Sequence, residues 1–222
     1  KSEVVFIDKT TTALPQLAEA DWVYPNDNAT GYFRWSISPA QLDNLLANIE
    51  VLNKREKKNV LFNYQALLNA DEVGVDSVMK VLNALSADED PAVIRAAVGV
   101  LQEFDYLVND SNRDAYATLL TKTYMPLLDS LSLTQGGDDS TDIIRLRNQL
   151  YGFLGMYADS DSLVEKSNVL AKKYIDDTTS VSSGLAGTAI AIATKNSADK
   201  DNAKWFNEVV SAFKKAQLPN VK

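Results

Sequence analysis

The sequence predicts a mainly α protein, an irregular α-solenoid of antiparallel helix pairs preceded by a short β-hairpin. Three observations carry this. Apolar residues recur at helical spacing in nine successive stretches from Ser38 onward. The connections between them are short and polar, which favours antiparallel neighbours. Residues 22–35, the densest aromatic cluster in the chain, mark where strand-like text gives way to helical text.

The amino-terminal part reads as strand and loop. Residues 3–7 carry two valines, a phenylalanine and an isoleucine, a strand composition. Residues 8–20 read as loop. Trp22-Val23-Tyr24 is strand-like again, and Pro25-Asn26-Asp27-Asn28 is turn chemistry. Gly31 suits the turn exit. Residues 32–37 read as the second strand of a hairpin, with Tyr32 and Arg34 on one face and Phe33 and Trp35 on the other.

The helices follow. Ser38 is a good N-cap, Pro39 suits the first helical position and Gln41 completes a capping box. Leu42, Leu45, Leu46 and Ile49 then share a face. The second helix, about 54–69, turns Val60, Leu61, Tyr64, Leu67 and Leu68 inward. Its opening cluster, Lys54-Arg55-Glu56-Lys57-Lys58, reads as exposed first turns. The third carries Val75, Val78, Leu82 and Leu85. Asp90-Pro91 opens the fourth, which buries Ile94, Ala97, Val98, Leu101 and Phe104. The fifth carries Tyr116, Leu119 and Leu120, and Pro126 kinks or ends it. Residues 133–141, with Gly136-Gly137-Asp138-Asp139, read as an exposed loop. The sixth and seventh helices span about 141–158 and 162–175. The eighth is small-residue-rich, with Gly184 and Gly187 allowing close helix contact. The ninth, about 202–216, carries Trp205, Phe206, Val209, Val210 and Phe213. Nine helices in sequence exceed what one simple bundle core holds. A solenoid of HEAT or armadillo type is therefore preferred to a compact bundle.

Composition excludes much chemistry. The 222 residues contain no histidine and no cysteine, which removes His-Glu-x-x-His zinc sites, Ser-His-Asp triads and disulfides from this chain. A net charge of −8 and a pI near 4.6 disfavour nucleic acid as a partner. No apolar run is long enough for a transmembrane helix. The compartment stays open, with a lean toward a bacterial periplasm or cell envelope over the cytoplasm. Lys1 reads as a cut inside a longer protein. The paired acids Asp138-Asp139 and Asp176-Asp177 sit in loop text and read as solvation. The sequons at Asn28 and Asn109 read as chance matches in two loops. Arg145 and Arg147 lie on a largely apolar helix. They are the candidates for a substrate carboxylate, against the plainer reading of ion pairs with neighbouring acids.

One resemblance organises the rest. Asn28-Ala29-Thr30-Gly31-Tyr32-Phe33-Arg34-Trp35 resembles the Asn-x-x-Gly-Tyr-Tyr-Arg-Val element of the gluzincin zinc aminopeptidases, the family of aminopeptidase N, the puromycin-sensitive enzyme and the endoplasmic-reticulum antigen-trimming enzymes. Ile144-Arg145 through Leu150 and Gly155, then Leu170-Ala171-Lys172-Lys173-Tyr174, are similar to helices of that family's C-terminal domain, as is the apolar stretch 181–194. Phe33 and Trp35 depart mildly from the commonest Tyr and Val.

The resemblance implies a division into 1–37, the end of a β-sandwich with a junction hairpin, and 38–222, a helical-repeat domain truncated at its C-terminus. It implies a non-catalytic segment that covers an active site and restricts peptide access and length. The zinc would lie in a separate catalytic domain, with no cofactor in this segment. Implied partners are the catalytic and β-sandwich domains and peptide substrates, with self-association through a cut solenoid end. Trp22, Tyr24, Gly31, Tyr32, Arg34 and Trp35 would form the domain junction. The alternative is a free-standing helical-repeat scaffold that binds proteins or peptides on a concave face.

Overall fold

The computed structural model describes residues 4–7, 9–133, 139–197 and 202–215. Among them nine α-helices are formed: α1 (Pro39–Ala47), α2 (Lys54–Asn69), α3 (Val75–Leu85), α4 (Pro91–Glu103), α5 (Arg113–Leu131), α6 (Thr141–Tyr157), α7 (Asp161–Asp176), α8 (Ser183–Ser197) and α9 (Asn202–Lys215). Most of the loop expected at 133–141, and residue 216 of the last helix, lie outside the described residues.

The helix starts follow local capping chemistry. Ser38 Oγ accepts from Gln41 N at 3.3 Å, ahead of Pro39. Asn53 and Glu56 form a full capping box on α2: Asn53 Oδ1 accepts from the Arg55 and Glu56 amides, and Glu56 Oε2 accepts from Asn53 N. Asp90 Oδ1 accepts from Ala92 N, and Ser140 and Ser160 cap α6 and α7. Pro126 does not end α5, which continues to Leu131.

The strands expected at 3–7, of which residue 3 lies outside the described residues, at 22–24 and at 32–37 are not formed; no strand occurs among the described residues. A strand needs a ladder partner for its backbone groups. The partner taken by 26–35 is instead a set of side chains on α2. Tyr32, Phe33 and Arg34 are all exposed, so the two-faced alternation fails and Trp35 alone of the four is buried.

The described chain divides into two compact units with the boundary inside α4, after Val100. In the first, α3 packs on α1 and α2, and the core is Leu42, Leu45, Val60, Leu61, Tyr64, Val78, Leu82 and Leu85. One charge group is buried with it. Lys57 Nζ lies 2.6 Å from Asp88 Oδ2 and 3.0 Å from Glu50 Oε2, and Asp88 Oδ1 accepts from Asp90 N. Burial pulls the Lys57 pKa down, but the hydrogen bonds and charges of Asp88 and Glu50 outweigh it and hold it above the ordinary lysine value. The expected exposed cationic opening of α2 is thus half right. Lys54 and Arg55 face solvent, while Glu56 and Lys57 are buried and paired.

In the second unit α5 packs on α6, and α8 lies against α6, α7 and α9. Leu120, Tyr124, Leu146, Leu150, Phe153, Leu154, Ala186, Ala189 and Ile192 fill the core. The close helix approach is not at Gly184 or Gly187. A Cβ at Gly187 meets nothing within 4 Å, and one at Gly184 comes no nearer than 3.6 Å to Asn148 Nδ2. It is at Gly155 on α6, where a Cβ would stand 2.2 Å from Ile192 Cδ1 and 2.8 Å from its Cγ1. Ile192 is fully buried and β-branched within a helix, so it has little freedom to move aside.

Gly155→Ala is therefore expected to destabilise the second unit by about 1–3 kcal/mol through overpacking. Gly187→Ala is expected to be neutral or to stabilise by up to about 1 kcal/mol through helix propensity. Urea unfolding of the two variants, followed by far-ultraviolet circular dichroism, checks the contrast.

Candidate functional site

The stretch 22–35 is fixed by three asparagines and a glutamate. Asn26, which is 2 % exposed, brackets Gly31: its Nδ2 donates to Gly31 O at 3.0 Å, and Gly31 N donates to its Oδ1 at 2.7 Å. Asn63, on α2 and fully buried, brackets Trp35 in the same way. Its Nδ2 donates to Trp35 O at 2.6 Å, and Trp35 N donates to its Oδ1 at 3.1 Å. Each carboxamide does for one residue what a neighbouring strand would do. Between them, Asn59 Oδ1 accepts from Tyr24 Oη at 2.9 Å and from Trp35 Nε1 at 3.4 Å. Glu56 Oε1 accepts from Asn28 N at 2.8 Å, while its other oxygen serves the α2 cap.

Glu56, Asn59 and Asn63 are spaced three and four residues apart, so they form one stripe on α2 beside the apolar Val60, Tyr64 and Leu67. The loop they hold is bent sharply. Asn28 and Ala29 both take left-handed backbone angles, with φ of 54° and 51°. The half-exposed Phe33 ring lies over Gly31, where a Cβ would fall 2.1 Å from the ring and 2.9 Å from Asn26 Oδ1, so a side chain there would have to displace the ring and crowd the Asn26 amide.

The aromatic rings close over this polar stripe. Trp35 meets Tyr24 edge-on with centroids 5.7 Å apart, and Tyr64 edge-on at 5.9 Å. Burial pushes the Tyr64 phenol up to about 12, against a smaller downward pull from the Ile37 backbone. Burial, then the charges of Glu56 and Asp27, raise that of Tyr24 further. Both phenols stay neutral at physiological pH, and that of Tyr24 donates to Asn59.

Of the residues expected at this junction, Tyr24, Gly31 and Trp35 are brought together in the pinned interior. Trp22 is half-buried, and Tyr32 and Arg34 project outward. Sequence reasoning missed Glu56, Asn59 and Asn63. The available signal was two asparagines, poor helix formers, inside one helix at apolar-stripe spacing.

Arg145 and Arg147, two residues apart on α6, go to different environments. Arg145 is exposed. Arg147 is 3 % exposed; its Nε donates to Leu131 O at 3.1 Å and its NH2 to Asp139 Oδ2 at 2.6 Å. It ties the end of α5 to the residues before α6. A separate cleft of about 570 Å3 lies between the end of α5 and α7, lined mainly by Leu128, Leu133, Leu163, Val169 and Leu170 with Asp129 and Lys166 at its edge. Neither arginine lines it.

Among the described residues no group of three or more His, Cys, Asp or Glu side chains is arranged to hold a metal. No helix of the described residues is long and apolar enough to cross a membrane.

The family model described as the ERAP1-like C-terminal domain matches residues 22–222. No curated protein matches the chain.

Asn63→Ala should destabilise the first unit by about 2–6 kcal/mol, because two backbone groups of Trp35 lose their partner at about 1–3 kcal/mol each. Trp35→Ala should cost about 3–5 kcal/mol through the cavity it leaves. Urea unfolding monitored by tryptophan fluorescence for Asn63→Ala, and by circular dichroism for Trp35→Ala, measures both. The raised Tyr64 pKa fixes a pH dependence. Its stabilisation is complete below the unfolded tyrosine value of 10.0 and is lost as pH rises toward about 12. Alkaline titration of the phenolate absorbance should show Tyr64 ionising with the loss of folded signal, and Tyr64→Phe should flatten that part of the profile.

Proposed function

Because the chain belongs to the ERAP1-like C-terminal domain family, the C-terminal helical domain of M1 aminopeptidases, we propose that it is the non-catalytic helical cover of a zinc aminopeptidase active site, limiting which peptides enter and how long they are. The observation that carries the reading is the family match, which runs from Trp22 to Lys222. The chemistry of the chain agrees with a supporting part. It has no histidine to bind zinc or to shuttle protons, and burial keeps its Tyr24 and Tyr64 phenols neutral.

In this reading the zinc and the groups that polarise the scissile carbonyl belong to a preceding catalytic domain. This chain binds, shapes and excludes. Helical repeats suit that task because curved arrays of helices present extended surfaces to a peptide.

Two measurements test the proposal. The isolated chain with added zinc should release no chromophore from aminoacyl chromogens. The complete enzyme should cleave a ladder of peptides with a rate that depends on length, and an enzyme deleted of residues 38–222 but folded in its catalytic part should lose that dependence while still cleaving dipeptide substrates. An unchanged length profile after deletion refutes the covering role, as would zinc-dependent turnover by the isolated chain.

A further inference from the structure

We draw no further inference here: the strongest candidate, the apolar cleft between the end of α5 and α7, carries nothing, because its edge sets Asp129 and Glu165 beside Lys166 and so selects no one charge of ligand, and nothing in the structure shows what covers it.

Discussion

Asn63 spends both ends of its carboxamide on one residue, the nitrogen and oxygen of Trp35. Those backbone groups are buried under the Trp35 and Tyr64 rings, where water cannot replace a lost partner. The indole can fill the space beside α2 only because its own backbone is satisfied there. Asn59 then takes the indole N–H and the Tyr24 hydroxyl, and Glu56 takes the turn at Asn28. One face of one helix thus fixes a loop that comes about thirty residues earlier, with no sheet involved. The arrangement is high-stakes in the usual way of buried polar networks: complete, it specifies a single geometry, and incomplete, it exposes several unpaired groups at once.

The same helix carries a second long-range tie. Lys57, one position after Glu56, reaches Asp88 in the α3–α4 connection and Glu50 in the turn before α2. A buried ion pair gains little over a well-packed apolar pair, but losing one partner strands a charge in the core. The first four residues of α2 have therefore divided their roles by direction. Lys54 and Arg55 stay in water, Glu56 serves the cap and the loop, and Lys57 holds the far connection.

These two ties mark the limit of what was legible in the sequence. The helices were legible because periodicity and caps are local: Ser38-Pro39 and Asp90-Pro91 announce their helices within four residues. The stretch 22–37 was misread as a hairpin for a physical reason. Alternation and aromatic content report an extended backbone, and they are blind to what completes its hydrogen bonds. Here the partner is a side chain 28 residues away rather than a neighbouring strand. Helix contact was misplaced on the same grounds. Gly184, Gly187 and Gly155 are indistinguishable as glycines, and only packing shows that Ile192 lies against the last of them. Arg147 was visible as a cation on an apolar helix. That its guanidinium is engaged by Leu131 and Asp139 depends on how α5 ends, which no local pattern encodes.

Five consecutive residues, Gly31 to Trp35, thus carry two demands that conflict in most loops. Exposure of side chains ordinarily brings mobility. A rigid segment must be buried, and burial hides the side chains. The asparagine clamps separate the two demands along the chain: they act on backbone atoms at the ends and leave Tyr32 and Arg34 exposed between them, while the Phe33 ring lies against Gly31. Gly31 lets the Phe33 ring and Asn26 Oδ1 approach the backbone, since a Cβ would stand 2.1 Å from the ring and 2.9 Å from that oxygen. The Asn-x-x-Gly-Tyr pattern, read at first as a mark of family, then has a mechanical content. Its first residue carries the bend and bonds Glu56 through its amide, and its glycine lets the clamp close. Its aromatic, Tyr32, is exposed. The proposed covering role would draw on that fixed backbone, because a cover has to hold one geometry.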